Sequence, residues 1–302
     1  MNYYQFLLKL KEKVPTLSDY ENKVLTMFSL EILNGKRQHE IILLDLLLRQ
    51  EKVEYDEYRK RLAESNCRMD DATIVSVQRV FDLSFFTENT RKKYGDKPII
   101  IIDEDKHYRF NDSIRESIKS NGFFKKLVMD IVRSAKEKSK VYQSSQPLTL
   151  YKKYTRKDVC KLLNWLNDES FTMYGYKTKY NTCPIFITYH KNDDIESSVD
   201  YGDEFLNQEV LKWYTRSNRT LESKEVKAII EAEENNIDIH IFVKKDDDEG
   251  SDFYYLGQAI PDKKSVQQTV MKDKNDKEIP VVCMNMVMEQ SIDNKLYHYI
   301  KS

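Results

Sequence analysis

The sequence predicts an α+β protein in which a helical N-terminal domain precedes a mostly-β C-terminal domain. In the first 140 residues, apolar side chains recur at the three- and four-residue spacing of amphipathic helices. After residue 165 they fall in short runs rich in aromatic and β-branched residues, which is typical of strands. The polar segment 141–150, which contains Pro147, is the best linker candidate. We therefore predict one domain over residues 1–146 and a second over residues 147–302.

The N-terminal domain is predicted to contain several helices and one β-hairpin. Ser18 and Glu21 are spaced as a capping box at the start of a helix over residues 20–33, and Asn34-Gly35 ends it. The other predicted elements are helices over residues 40–49, 55–64, 70–81 and 111–140 and a hairpin over residues 98–110. A buried helix, two shorter helices and a hairpin follow one another in the order of a winged-helix module. A generic helical domain with a hairpin fits the pattern equally well.

The C-terminal domain begins with one helix and continues mainly as strands. Thr155 is placed to cap a helix over residues 155–165, and a second helix is predicted over residues 223–235. The predicted strands cover residues 171–177, 184–190, 209–214, 237–244, 253–259 and 280–289. Strands of this number and length predict a small barrel or a strongly curved sheet.

Composition and charge exclude several classes of protein. The formal net charge is −1, with +4 on residues 1–150 and −5 on residues 151–302, so a DNA site in the second half must be a local basic patch. No apolar run approaches the roughly 20 residues of a membrane span. The four cysteines and five histidines form no CxxC pair and no zinc-type spacing. We predict a cytoplasmic protein with reduced thiols, no membrane partner, and neither a metal ion nor a cofactor.

Two patterns resemble catalytic motifs. The strand Ile99–Ile102 ends in acidic residues, as in nucleotide hydrolases, but no phosphate-cradling GxxxxGK[ST] loop accompanies it, which favours a plain hairpin. Asp203, Glu222 and Lys224 mimic the carboxylate and lysine set of a magnesium nuclease. The segment ESKE also lies at a predicted helix start, where Ser223 and Glu225 are placed as capping residues, and this explanation is favoured. The nuclease remains the enzymatic alternative.

The segment 211–223 carries the densest set of groups that suit DNA binding. Arg216 and Arg219 could bind a phosphate or a guanine edge, and Trp213 or Tyr214 could stack on a base. Hydroxyl groups that could hold phosphate oxygens belong to Thr215, Ser217, Thr220 and Ser223. The alternative is a strand with one core aromatic residue and a solvated basic face.

A second set of residues could form a pocket for an extruded base. Such a pocket needs aromatic walls and an acceptor for the amino group of cytosine. These groups are supplied by Tyr174, Tyr176, Tyr189 and Tyr201 together with Asp200 and Asp203. Taken singly, each tyrosine could equally be a wall of the core whose hydroxyl reaches solvent.

Six stretches of the chain resemble one known family. They are NGKRQHEIILLDLLL and SFFTENTRKKYG in the first half, and YTRKDVCKLLNW, GYKTKYNTCPIFITYHK, WYTRSNRTLESKEV and IHIFVKKDDDEGSDFYYLG in the second. They are similar to the C-terminal region of ATP-dependent, modification-dependent (type IV) restriction endonucleases of the SauUSI kind. The resemblance implies a helical segment that follows the helicase motor and couples it to an SRA-like target-recognition domain.

The resemblance also implies a function and a set of site residues. An SRA/PUA-like barrel over residues 147–302 would flip and bind 5-methylcytosine or 5-hydroxymethylcytosine in double-stranded DNA. Its base pocket would comprise Tyr176, Tyr189, Tyr201 and Asp203, and its duplex contacts Arg216, Ser217, Arg219, Thr220 and Ser223. The chain carries neither the family's HxK nuclease signature nor its ATPase loops. It is therefore expected to be non-catalytic, with helicase and nuclease domains of the same polypeptide or complex as partners. A protein-interaction module that docks a helicase is a further alternative.

Overall fold

The computed structural model describes residues 1–190, 202–272 and 278–302. It confirms the predicted α+β class, with helices concentrated in the first half and one large sheet in the second. The chain forms two compact units. The first comprises Met1–Leu148 and Cys160–Asp168, and the second comprises Thr149–Val159 and Glu169–Ser302. Among the described helices, none has the length and apolar character needed to cross a bilayer.

The first unit is mainly helical, and the helices predicted over residues 40–49, 55–64 and 70–81 are confirmed to within two residues. The capping box is present, because Ser18 Oγ accepts a hydrogen bond from Glu21 N–H (3.1 Å) and the Glu21 carboxylate accepts one from Ser18 N–H (2.7 Å). The helices are α1 Tyr3–Lys9, α2 Asp19–Met27, α3 Gln38–Arg49, α4 Tyr55–Glu64, α5 Asp71–Phe81, α6 Glu88–Lys93, α7 Asp112–Ser120 and α8 Gly122–Ser139. Helix α9, Arg156–Leu162, is divided between the two units.

Gly35 ends the helical run that begins with α2 and continues as a π-helix over Phe28–Ile32. Its φ angle is +72°, which side-chain-bearing residues rarely adopt, and a Cβ there would lie 2.7 Å from the carbonyl oxygen of Ala135. The predicted stop at Asn34-Gly35 is therefore confirmed, and close packing against α8 is the reason that glycine is required.

A three-stranded antiparallel sheet completes the first unit. Its strands are β1 Val53–Glu54, β2 Ile100–Ile102 and β3 His107–Phe110, in the order β1-β3-β2. The predicted hairpin is confirmed. The single helix predicted over residues 111–140 is wrong, because the chain breaks at Asn121 (φ −112°, ψ 90°), whose side chain caps α8.

A buried ion pair between Arg37 and Glu40 connects several segments of the first unit. The guanidinium group of Arg37 binds both carboxylate oxygens of Glu40 and also donates to Ser76 Oγ (3.0 Å) and to the backbone carbonyl of Lys161 (3.3 Å). Burial alone would raise the pKa of Glu40, but the charge and hydrogen bonds of Arg37 hold it below its usual value. This contact explains why residues 160–168 pack with the first unit, although the sequence places them beyond the predicted boundary at residue 146.

The second unit is built on a seven-stranded mixed sheet. Its strands are β4 Lys153–Tyr154, β5 Thr182–Thr188, β6 Glu204–Phe205, β7 Val210–Tyr214, β8 Asp238–Lys244, β9 Phe253–Lys272 and β10 Glu278–Met288. The order is β5-β8-β9-β10-β7-β6, with β4 paired to β9. Strands β5 and β8 are parallel, and the other pairs are antiparallel. Helices α10 Lys224–Ile230 and α11 Asn294–Lys301 accompany the sheet.

Several element predictions for this unit are corrected. The strand predicted over residues 171–177 is instead a 3-10 turn, Ser170–Thr172, followed by irregular chain with a single bridge from Tyr176 to Ile185. Helix α10 ends earlier than predicted, strand β9 continues thirteen residues past its predicted end, and α11 was not predicted. The strands β5, β7, β8 and β10 confirm their predictions to within two residues.

One face of the sheet packs against α10 and α11 to form an apolar core. Val226 and Ile229 of α10 and Ile300 of α11 are fully buried there, with Trp213 and Tyr176 among their neighbours in the same cluster. Aromatic side chains cover the opposite face of β5 and β8, where the rings of Phe186 and Phe242 stack 4.7 Å apart. Both faces of β5 are thus buried, which explains its unbroken apolar sequence.

Acid should destabilise the second unit through His240. Its ring is buried, its Nδ1 lies 3.1 Å from Tyr255 Oη, and burial lowers the pKa of His240 to about 4. An unfolded histidine titrates near 6.5, so between about pH 6.5 and 4 the unfolded chain binds the extra proton. We expect the free energy of unfolding to fall by up to about 3 kcal/mol across this window.

Thermal melts of the wild type and of His240→Asn from pH 7 to pH 4.5 measure this loss. The variant should show a shallower decline of stability with pH, whatever its stability at pH 7. Equal slopes for the two proteins would contradict the assignment to His240.

Candidate nucleic-acid interface

The loop between β7 and α10, residues 215–223, is fastened to strand β10. Thr215 is fully buried; its N–H donates to the carbonyl of Val282 (2.9 Å), and its Oγ1 accepts from Val282 N–H (3.0 Å). The N–H of Arg219 donates to the carbonyl of Pro280 (3.1 Å). The predicted phosphate contact by Thr215 is therefore corrected, because its hydroxyl group completes the hydrogen bonding at the end of the β7–β10 pair.

Three side chains converge on the carboxylate of Glu225, in the first turn of α10. Arg216 Nη2 lies 2.6 Å from Glu225 Oε2, and Arg219 Nε donates to Oε1. The hydroxyl of Tyr176 also donates to Oε1 (2.9 Å), and the Arg216 guanidinium lies 4.7 Å from the centre of the Tyr176 ring. The sequence predicts Glu225 only as a capping residue, but its carboxylate is the centre of this cluster.

The cluster carries a net positive charge, because two guanidinium groups face one carboxylate. Partial burial would raise the pKa of Glu225, but hydrogen bonds from Arg219 and Tyr176 and the charges of both arginines hold it below its usual value. Burial, followed by the charge of Glu225, raises the pKa of Tyr176, which stays protonated as a donor. The arginine side chains remain about 30% exposed (29% and 31%). The cluster is thus a local basic patch of the kind that a DNA site in the acidic second half would need.

The predicted base-pocket residues do not all line one surface. Tyr176 is only 2% exposed; Arg216 lies over its ring, and Trp213 packs edge-on at 5.1 Å. A base could not stack on Tyr176 without displacing these neighbours, so its predicted stacking role is corrected to a core role. Tyr189 is partly buried and stacks on Phe205 at 5.4 Å. Tyr201 lies outside the described residues.

Asp203 and the remaining predicted DNA contacts have mixed environments. Asp203 Oδ1 accepts a hydrogen bond from the N–H of Tyr214 (2.9 Å), whose ring is partly exposed. Trp213 is 2% exposed, so its predicted stacking on a base is corrected to a core role. Ser223 Oγ accepts from Thr220 N–H (3.0 Å), which stabilises the turn before α10. Ser217 is partly exposed on the same loop.

The metal-nuclease arrangement does not assemble. The Glu222 side chain is 84% exposed and pairs with Lys227 (2.5 Å), while Lys224 is exposed on the following turn. Over residues 1–190, 202–272 and 278–302, only Asp103, Asp105 and His107 form a group of three side chains close enough to share a metal ion. That group lies in the first unit, where Asp103 already binds Lys52 (2.9 Å) and the His107 ring (3.2 Å).

Sequence comparison places the chain in a family. Residues 148–300 match the family described as Domain of unknown function (DUF3427), and the chain belongs to that family. Residues 1–144 match a second description, Domain of unknown function (DUF8090). No curated protein matches the sequence.

Structural comparison finds distant similarities. The DNA modification-dependent restriction endonuclease AspBHI is 11% identical over 50% of this chain and 79% of its own, with a TM-score of 0.33. KRYPTONITE in complex with mCHG DNA is 10% identical over 48% and 33%, with a TM-score of 0.31. The sulfur-binding and SRA domains of ScoMcrA with phosphorothioated DNA are 6% identical over 98% and 96%, with a TM-score of 0.29. At these TM-scores none of the matches defines the fold or function of this chain.

Replacing Glu225 with Gln should destabilise the second unit by about 1–3 kcal/mol, because two arginines would lose their shared anionic partner. The folded pKa of Glu225 lies below the unfolded value of about 4.3, so its contribution is complete above that pH and is lost as the pH falls through the folded pKa. The stability difference between wild type and Glu225→Gln should therefore be full at pH 7 and shrink below about pH 4.

Urea unfolding at pH 7 and below about pH 4 measures the difference in stability between the wild type and Glu225→Gln. Glu222→Gln is the matched control, because Glu222 is exposed on the preceding turn. The control should show little change. A loss as large as that of Glu225→Gln would argue against a special role for the cluster.

Proposed function

We propose that the second unit recognises double-stranded DNA that carries a modified cytosine, with Arg216 and Arg219 as its principal duplex contacts. We call these two residues the arginine pair. The observation that carries the proposal is their convergence on the single carboxylate of Glu225, at a partly exposed position in an otherwise acidic half of the chain. The excess positive charge gives a phosphate a partner in a half of the chain whose net charge is −5.

The geometry suits phosphate binding. A guanidinium group has five N–H donors in a planar fork, and its carboxylate partner occupies only part of that fork in each arginine. Glu225 holds both groups in place before DNA arrives, which lowers the cost of ordering them. Ser217, Thr220 and Ser223 lie on the same loop and would extend the contact along the backbone.

Recognition of the modified base is the finer part of the proposal. The family resemblance supports base flipping into a pocket that includes Tyr189, Tyr201 and Asp203, with a carboxylate oxygen as acceptor for the cytosine amino group. Tyr176 and Trp213 would support this pocket from the core rather than stack on the base. An apolar contact with the methyl group would contribute about 1–3 kcal/mol of discrimination.

The same resemblance supports a role for the whole chain. The chain would be the target-recognition part of an ATP-dependent type IV restriction system that acts in the cytoplasm against foreign DNA. The first unit would couple recognition to helicase and nuclease domains of the same polypeptide or complex. Catalysis would belong to those domains and not to these residues.

The proposal predicts that Arg216→Ala and Arg219→Ala each weaken binding to DNA of any modification state. Each variant should also lower the slope of log Kd against log salt by about 1, because one phosphate contact is lost. Fluorescence anisotropy with matched unmodified, 5-methylcytosine and 5-hydroxymethylcytosine duplexes, from 50 to 200 mM salt, measures both effects. Lys227→Ala, an exposed cation on α10 outside the cluster, is the matched control and should bind like the wild type.

If the wild type bound all three duplexes with equal affinity, recognition of the modified base would be excluded and the proposal would be reduced to general DNA binding. Wild-type affinity in both arginine variants would show that the duplex contacts lie elsewhere. Magnesium-dependent nicking of methylated plasmid that Glu222→Ala abolishes would restore the nuclease alternative.

A further inference from the structure

Two large aromatic side chains stand in solvent on the irregular segment between α9 and β5. Phe171 is 81% exposed and Tyr174 is 69% exposed, the highest values among the large hydrophobic side chains of the described chain. Scattered apolar residues on a surface are ordinary, but two aromatic rings this exposed within four residues form a local patch. We call residues 170–180 the aromatic loop.

The aromatic loop is held firmly in spite of its lack of strand structure. Between the exposed residues, Met173 and Tyr176 point inward and are each 2% exposed. The carbonyl of Gly175 accepts a hydrogen bond from Phe186 N–H (2.7 Å), which ties the loop to β5. The exposed rings are therefore presented by a backbone with buried anchors on either side of Tyr174.

The aromatic loop lies next to the arginine pair. Tyr176 contacts both Arg216 and Glu225, and Tyr174 precedes it by only two residues. Two residues of extended chain span at most about 7 Å, so the Cα atom of Tyr174 lies within about that distance of the Cα atom of Tyr176. A ligand bound by the arginine pair would be within reach of the exposed rings.

The charge of this surface favours nucleic acid as its occupant. Lys177 and Lys179 share one carboxylate, that of Glu169, just as the arginine pair shares Glu225. The four cations thus exceed the two carboxylates by two. Cationic groups beside aromatic rings are the combination with which proteins bind the backbone of a nucleic acid and stack on its bases.

We propose that Phe171 and Tyr174 stack on DNA bases at the site contacted by the arginine pair. The inference rests on the proposed function and adds an exposed stacking surface to it. The sequence predicts Phe171 only as part of a strand, and Tyr174 only as one of several tyrosines that could wall a base pocket. The aromatic loop, rather than Tyr176 or Trp213, supplies the stacking surface.

The test compares Phe171→Ala, Tyr174→Ala and Tyr174→Phe in the full chain, with the 5-methylcytosine duplex as probe. Loss of one stacked base should weaken binding roughly 5- to 150-fold, whereas Tyr174→Phe keeps the ring and should bind like the wild type. Because stacking releases no counterion, the salt slope should stay unchanged in the alanine variants, unlike in Arg216→Ala. Tyr3→Ala, a 60% exposed tyrosine of the first unit, is the matched control and should have no effect.

Thermal unfolding checks that the substitutions act on binding, since exposed side chains contribute little to the fold. Wild-type affinity in both alanine variants, together with weakened binding in Arg216→Ala, would overturn the inference and leave the proposed function intact. The exposed rings would then suit a protein partner instead. Failure of the wild type to bind any duplex would overturn both proposals.

Discussion

The surface of the second unit that carries the proposed function depends on one partly buried carboxylate, that of Glu225. At the start of α10, it joins the nearby loop after β7, through Arg216 and Arg219, to the aromatic loop, through Tyr176, which lies 49 positions away in sequence. Without it, two guanidinium groups would face each other beside an apolar core, where their repulsion is poorly screened. The carboxylate therefore both stabilises the unit and sets the spacing of the groups available to a phosphate.

The sheet provides the framework for this cluster. Strand β10 pairs with β7, and the carbonyl groups of Val282 and Pro280 accept hydrogen bonds from the backbone N–H groups of Thr215 and Arg219. The loop that bears the arginine pair is thus fixed at its start and near its middle. This arrangement reconciles a local basic site with the net negative charge of residues 151–302, because a few groups held in place can present a charge that composition does not reveal.

Periodicity predicted most of the elements because burial of one face is a local property of a helix or strand. The capping box at Ser18, the bounds of α4 and α5, and the hairpin β2–β3 follow directly from side-chain spacing and turn chemistry. The same reasoning failed over residues 171–177, where alternating aromatic residues resemble a strand. There Met173 and Tyr176 point inward while Phe171 and Tyr174 face solvent, with no partner strand except at one bridge.

The sequence by itself determined the α+β class, the separation of a helical from a β-rich half, and the segment in which the arginine pair lies. These depend on composition and on spacing along the chain. Only the tertiary structure decided which aromatic residues are buried, which carboxylate pairs with the arginines, and which rings remain exposed. Those outcomes depend on strand order and on contacts between residues some fifty positions apart, such as Tyr176 with Glu225. Local sequence patterns do not predict such contacts, because whether a side chain is buried depends on neighbours that are distant in sequence and that only the folded chain brings together.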